Sequence, residues 1–280
     1  MQNRFVAADI AAYCHELRAR ERSAATIEKY ARALRAFSAW LPPEGGVDQE
    51  TAMAYKAELA ARYAPAGVNA ALAALNGFFR YMGWADCRLK PLRIQRRVFA
   101  SKEKELTREE YERLVAAAEA RRDTRLSLLL QLMAATGIRV SEVHAVTVEA
   151  AREGKAVLNL KGKVRTILLP GKLCRKLLKY AGARNIASGE LFRTRSGRAM
   201  NRKEIWAAMK GLCASAGVDP RKVFPHNLRH LFARVFYAAQ KDLAKLADLL
   251  GHSSVETTRI YLLSSGEEHR QALEALRLVS

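Results

Sequence analysis

One interruption constrains this chain more than any other feature. From Asp86 to Glu105 the helical spacing of apolar residues lapses and the sequence turns basic, with Arg88, Lys90, Arg93, Arg96 and Arg97 around Pro91. That is the composition of a linker rather than of a packed element. A chain of 280 residues interrupted in this way has room for two hydrophobic cores, since single domains commonly run to roughly 100–200 residues. The boundary is placed near residue 98, which divides the chain into 1–97 and 98–280.

Within the first unit, apolar residues recur at helical spacing near 6–19, 24–41, 49–63 and 67–82. The Pro42-Pro43-Glu44-Gly45-Gly46 run breaks the second stretch from the third, Asp48 is placed to cap the third, and Pro65 with Gly67 marks the fourth. A small four-helix domain is expected. The second unit opens on Thr107-Arg108-Glu109-Glu110, a capping box in which the Thr107 hydroxyl and the Glu110 carboxylate satisfy free N–H groups at a helix start. An apolar helix follows over Arg125–Thr136, stopped by Gly137. Residues 155–160 and 164–169 read as two short strands joined at Lys161-Gly162-Lys163. Helices are then predicted near 171–181, 201–216, 226–239, 242–250, 254–261 and 267–278. The fold class is mainly α with a small β-sheet.

The formal net charge of +20 points to a polyanionic partner. Residues 152–222 hold 18 Lys/Arg against 4 Asp/Glu, so one segment carries most of the excess. Displacing counterions from phosphates is the main drive of non-specific DNA binding. No run reaches the roughly 18 uninterrupted apolar residues of a membrane span, and Met1-Gln2-Asn3-Arg4-Phe5 lacks the pattern of a secretory signal. A soluble, cytoplasmic protein is expected. Cys14, Cys87, Cys174 and Cys213 are scattered without a C-x-x-C pair and read as reduced thiols.

Five ordered segments carry the chemistry. They are Ala135-Thr136-Gly137-Ile138-Arg139-Val140-Ser141-Glu142, the hairpin tip at Lys161, Pro225-His226-Asn227-Leu228-Arg229-His230, Leu249-Leu250-Gly251-His252-Ser253, and Thr257-Thr258-Arg259-Ile260-Tyr261. Together they resemble the signature of the tyrosine recombinases, which include phage integrases and Xer-type recombinases. The resemblance runs from about residue 5 to 275 and is strongest in the second unit. It implies a helical core-binding (SAM-like) N-terminal domain followed by a mixed α+β catalytic domain. It also implies strand breakage and rejoining through a 3′-phosphotyrosyl intermediate.

By position, Arg139 and Arg229 resemble the family's two catalytic arginines. Guanidinium groups suit that task, because they stay charged and present forked donors to phosphate oxygens while charge builds around phosphorus. Tyr261 resembles the nucleophile; its phenol, with a reference pKa of about 10, needs help to lose its proton. His226 is the family's candidate for that help, and His252 matches the histidine that donates to the scissile phosphate. Glu142 matches an acidic residue able to orient Arg139 or His226. His230 shares a helix face with His226, a spacing also open to metal ligands, but the intervening arginine would repel a cation and His230 reads instead as a supporting residue. The resemblance implies neither a metal nor a cofactor.

The hairpin departs from the family pattern, with Leu160 in place of a glycine, one residue fewer between Gly162 and Lys163, and Leu168 where proline is usual. Counting from the first strand makes Lys161 the general acid; counting back from Arg165 assigns the second, DNA-contacting lysine to Lys163. Arg93, Arg96, Arg97, Lys163, Arg165, Arg193, Arg195, Arg198, Arg202 and Lys203 are the expected DNA contacts. Ala272, Leu273, Leu276 and Leu278 suggest a tail helix that packs either in its own core or in a neighbouring protomer. The implied assembly is a dimer on each core site and a tetramer in the synapse. The early start of the helices favours a simple recombinase without a further arm-binding domain. Two alternatives are relaxation of DNA in the manner of a type IB topoisomerase and a non-catalytic DNA-binding regulator.

Overall fold

The computed structural model describes residues 3–42, 46–94, 103, 105–160, 163–252, 254–262 and 274–276. The chain separates into two compact units, Met1–Arg96 and Arg97–Ser280.

The first unit is built from α1 (Ala7–Ala19), α2 (Ala24–Trp40), α3 (Gln49–Arg62) and α4 (Pro65–Tyr81). Ser23 caps α2 and Asp48 caps α3, each accepting a backbone N–H of the first turn, and proline opens α4. Leu34, Phe37, Val68, Leu75, Phe78 and Phe79 are fully buried. Phe5 closes the aromatic centre, with its ring 5.1 Å from Phe78 and 5.8 Å from Phe37.

The start of the expected linker is part of this unit. Asn69 and Asn76, two turns apart on α4, each bind both backbone groups of one extended residue. The Asn76 amide donates to Leu89 O and accepts from Leu89 N, both at 2.8 Å. Asn69 does the same with Leu92 at 2.9 and 2.7 Å. Two side chains thereby replace the ladder that a partner strand would supply. Residues 95–102, which contain Arg96 and Arg97, lie outside the described residues.

In the second unit α5 (Arg108–Ala120) begins on the expected capping box, with Thr107 and Glu110 bonded reciprocally. The centre is α6 (Thr124–Thr136), whose Leu129, Leu130, Leu132 and Met133 are fully buried. A 3-10 segment, Val140–Ala145, and α7 (Val148–Glu153) lead into β1 (Lys155–Leu160), which pairs antiparallel with β2 (Lys163–Leu168) in the register Leu158↔Arg165. Neither of the first two segments was expected from apolar spacing, because each is too short to repeat a 3.6 period. The tip residues Lys161 and Gly162 lie outside the described residues. Beyond the sheet come α8 (Gly171–Ala183), α9 (Arg202–Lys210), α10 (Cys213–Ala216), α11 (Pro225–Gln240), α12 (Leu243–Leu250) and α13 (Val255–Arg259). The single helix expected over 201–216 is two, separated around Gly211, and a 3-10 turn, Ile260–Leu262, follows α13. Of the expected tail helix only residues 274–276 are described, and Leu276 is exposed. All four cysteines are buried free thiols, and no described helix is long and apolar enough to cross a membrane.

Gly137 and Gly154 both end helices in the left-handed region, at φ +61° and +73°, but only Gly137 is crowded. A Cβ there would lie 2.6 Å from Phe232 Cδ1 and 2.8 Å from Leu250 Cδ2, whereas nothing stands within 4 Å at Gly154. Gly154→Ala should therefore cost only backbone strain, about 1–2 kcal/mol, and Gly137→Ala at least about twice that because overpacking adds to it. Urea denaturation midpoints check the difference. Equal losses would mean that Phe232 and Leu250 yield without cost.

Candidate active site

The site grows from the end of α6. Past Gly137, Arg139 caps the 3-10 segment, and the first turn of that segment buries Glu142 at 2% exposure. The Glu142 carboxylate accepts the Arg139 backbone N–H at 2.9 Å and its Nη1 at 2.8 Å. Its second oxygen also accepts Arg165 Nη1 at 2.5 Å. Arg165, expected at the DNA surface, is instead 9% exposed. The physical reason is the two-residue period of β2, which turns Arg165 to the same face as the buried Ile167 while Val164 and Leu168 point outward. Its Nη2 donates to Leu249 O at 3.1 Å. A Cβ on Gly251 would stand 2.4 Å from Arg165 Nε, and Gly251 has φ +63°. The glycine before His252 is thus required both by its backbone and by the guanidinium lying against it.

α11 presents His226, Arg229 and His230 along one face, at i, i+3 and i+4. Arg229 is 2% exposed. It donates through Nη1 to Gly137 O at 2.5 Å and through Nη2 to Leu250 O at 2.7 Å, and Nη2 lies 2.8 Å from His252 Nε2. Arginine has no lone pair to offer, so His252 Nε2 is the acceptor and its Nδ1–H donates to Thr258 Oγ1 at 2.8 Å. His252 is therefore a neutral imidazole with its proton on Nδ1. The Arg229 Nε is buried without a hydrogen-bond partner among the described residues.

Tyr261, 8% exposed, sits inside this frame. Its ring centroid lies 4.3 Å from His230, 5.4 Å from His226 and 5.5 Å from His252, and Arg229 Cζ is 5.8 Å from it. Arg139, His226, Arg229 and Tyr261 line one cavity of about 800 Å³ together with Arg202 and Lys203 from the start of α9. Burial, aided by the charges of Arg229 and Arg139, holds His226 below its ordinary pKa. Burial first, and then neighbouring cations, push His230 and His252 each down to about 4. The site is a cationic pocket whose imidazoles stay neutral.

The other expected residues are dispersed. Lys161 lies outside the described residues, as does the side chain of Lys163. Arg193 and Arg195 line a different cavity, Arg198 binds Glu204, and Arg93 is exposed on the first unit. Among the described residues no cluster of three or more His, Cys, Asp or Glu is arranged for a metal. Two lining residues escaped the sequence reading. Trp206 and Phe224 border the cavity, and the place of Trp206, one turn after Arg202 and Lys203, was the available signal. Thr258, quoted within the fifth motif but given no role there, is fully buried beside His252.

The pH dependence of folding follows from these groups. Unfolded histidines take up protons at about 6.5 while folded His230 and His252 wait until about 4. Unfolding free energy should thus fall as pH drops through that window and then level off for these groups. For Glu142, burial alone would raise the carboxyl, but the Arg139 hydrogen bonds and the Arg165 charge together outweigh it and hold the group below its ordinary value. Its contribution is present above the unfolded pKa, about 4.3, and is lost as pH falls through the folded one. Thermal unfolding across pH should show both stages, with His230→Asn shrinking the first and Glu142→Gln the second. A flat curve between pH 6.5 and 4 would mean that the imidazoles are not held neutral.

Comparison with known proteins agrees with this architecture. The Phage integrase family pattern matches residues 104–268, and the pattern of the phage integrase N-terminal SAM-like domain matches 10–86. Tyrosine recombinase XerA of Thermococcus kodakarensis is 30% identical over 264 residues, covering 91% of this chain and 90% of its own. Tyrosine recombinase XerD of Xanthomonas campestris pv. campestris is 32% identical over 281 residues, covering 89% and 85%. Among solved structures, the fold resembles XerH bound to palindromic difH substrate in a post-cleavage complex, with TM-score 0.72 and 21% identity over 96% of this chain and 84% of that one. It also resembles a lambda integrase tetramer bound to a Holliday junction, with TM-score 0.73 and 18% identity over 91% and 76%. With its catalytic pattern spanning more than half of the sequence and relatives at this identity over nearly its whole length, the chain belongs to the phage integrase family of tyrosine recombinases.

Proposed function

We propose that this protein is a site-specific recombinase that cuts and rejoins duplex DNA, with Tyr261 Oη as the nucleophile. The observation that carries the reading is the convergence of Arg139, His226, Arg229 and Tyr261 on one cavity. In the proposed reaction Tyr261 Oη attacks phosphorus and forms a 3′-phosphotyrosyl ester while the bond to the 5′ oxygen breaks. The 5′-hydroxyl of a partner strand then attacks the ester and releases the phenol. Bond energy is conserved in the ester, so the exchange needs no external energy source.

His226, kept neutral by burial, has a free lone pair at neutral pH for the phenol proton. Arg139 and Arg229 supply the forked cations for the non-bridging oxygens. Arg229 suits this because its Nε has no acceptor among the described residues, and a phosphate oxygen that reached it would remove the cost of an unmade hydrogen bond. His252 is proposed to donate to the phosphate from Nε2. Since Nε2 accepts from Arg229 in the free protein, His252 must first carry a proton there, either by protonation or by a tautomer shift in which Thr258 Oγ1 donates to Nδ1. Glu142 and Arg165 hold the frame. Arg202 and Lys203, on the rim of the same cavity, are proposed to grip the DNA beside the cut, with Lys163 and Arg198 as further proposed contacts.

The same reading makes residues 1–97 a core-binding domain, with Arg93, Arg96 and Arg97 along the DNA backbone, and residues 98–280 the catalytic domain. Two protomers on each core site and four in the synapse are the proposed assembly, in line with the lambda integrase tetramer on its junction. A cytoplasmic location is proposed with it.

Tyr261→Phe should abolish covalent attachment to a nicked suicide substrate and leave binding within a few-fold, as read on denaturing and native gels. A persistent covalent band would remove Tyr261 as the nucleophile. Arg139→Lys or Arg229→Lys should slow cleavage by at least about a hundredfold, since a point charge cannot reproduce a forked contact; near-normal rates would take that arginine out of the reaction.

Cleavage expels a poor leaving group, so a proton must arrive as the bond breaks, and Lys161 is the proposed donor. Replacing the 5′ bridging oxygen with sulfur removes that need. Lys161→Ala should cut normal DNA poorly and sulfur-bridged DNA nearly as well as the unaltered protein, and Lys163→Ala should show a binding defect alone. Rescue in Lys163→Ala instead would exchange the two roles.

A further inference from the structure

A second cavity, of about 580 Å³, is lined by six arginines: Arg121, Arg122, Arg125, Arg184, Arg193 and Arg195. It shares no lining residue with the cavity of Tyr261. α6 carries one cavity at each end. Arg125 lies in its first turn and Gly137 closes its last, and 13 residues of helix span about 20 Å.

Every cation lining the second cavity is an arginine. Its one carboxylate, Asp123, is already engaged as the cap of α6, accepting Leu126 N at 3.0 Å. None of the six takes part in an ion pair among the described residues. Three are held in place by backbone carbonyls: Arg121 by Gly211 O at 2.7 Å, Arg125 by Arg193 O at 2.5 Å, and Arg193 by Glu190 O and Ser188 O, both at 2.7 Å. Arg122 and Arg184 are exposed at the rim. Arg122 also sits in the left-handed region at φ +53 to +55° with its counterpart Asn185. Just past the end of α5, glycine would hold that conformation without strain.

Six like charges facing a single carboxylate, Asp123, leave a net positive field that an anion relieves. Guanidinium forks match phosphate oxygens in pairs, and six forks offer more donors than one phosphate can accept. We propose that this pocket is a second anion site, separate from the strand-cleavage site, that binds two or more adjacent phosphate groups. The phosphates come either from the backbone of duplex DNA outside the core site or from a free polyphosphate such as a nucleoside triphosphate. The proposal stands apart from the cleavage chemistry and survives if Tyr261 is not the nucleophile.

Calorimetric titration of the full chain with inorganic tripolyphosphate tests it. Arg122→Gln with Arg184→Gln should weaken binding by at least about tenfold, while Arg202→Gln with Lys203→Gln, at the other cavity, should change it little. Lysines at 122 and 184 should restore only part of the affinity, since charge returns without the fork. Among the described residues neither the Arg122 nor the Arg184 side chain makes a hydrogen bond or ion pair, so the unfolding midpoint of the glutamine variant should not fall. Unchanged binding in that variant overturns the proposal, and so does a loss confined to the Arg202 and Lys203 variant. Gel shifts then separate the sources. If flanking DNA strengthens binding of the unaltered protein but not of the 122/184 variant, the phosphates belong to DNA; if flanks add nothing and nucleoside triphosphate displaces tripolyphosphate, they belong to a free anion.

Discussion

The Glu142 carboxylate is the constraint on which the second unit's site depends. Three segments meet on it: the turn after α6 through Arg139, the 3-10 segment that carries it, and β2 through Arg165. A buried carboxylate is costly unless its charge is matched and its lone pairs are filled, and here two guanidiniums and a backbone N–H do both. Arg165 then passes the constraint onward, since its second nitrogen holds Leu249 O and its flat face fits against Gly251. The hairpin and the end of α12 are thereby held in one register.

Arg229 closes the same frame from the other side. Its two terminal nitrogens take the carbonyls of Gly137 and Leu250, at the C-terminal ends of α6 and α12. Those ends carry partial negative charge from unpaired carbonyls, which explains how a cation 2% exposed is tolerated without a carboxylate of its own. The arrangement also sets the state of the histidines. Burial first, and then nearby charges among which Arg229 is common to all three, hold His226, His230 and His252 below their ordinary pKa. Tyr261 thus sits among three neutral imidazoles with the Arg229 guanidinium as its nearest described charge, 5.8 Å from the ring. The closest of these rings is His230, at 4.3 Å, a residue the reaction as proposed does not use directly.

The positive charge of the second unit is not one continuous surface. Arg202 and Lys203 stand at the cavity of Tyr261, while Arg193 and Arg195 join Arg121 and Arg122 just past α5, Arg125 on α6 and Arg184 just past α8 around another. A linear count over residues 152–222 merges the two, because the chain between Arg195 and Arg202 passes from one to the other within a few residues.

Helix number in the first unit, the capping box at Thr107, the stop at Gly137 and the order of the five motifs were legible in the sequence, since each depends on near neighbours: periodicity, a cap three residues away, a glycine where φ must be positive. That His226 and His230 share one helix face was legible for the same reason. The fate of Arg165 was half legible, as its alternation with Ile167 pointed inward but a basic hairpin suggested DNA. What only the tertiary structure decided were the contacts between residues far apart in the chain. Arg165 meets Glu142 across 23 positions, Arg229 meets Gly137 O across 92, and Arg125 meets Arg193 O across 68. Periodicity has no register at such separations. A guanidinium's partner is settled by which carbonyls and carboxylates the folded core leaves unpaired beside it, and that is a property of the packed chain alone.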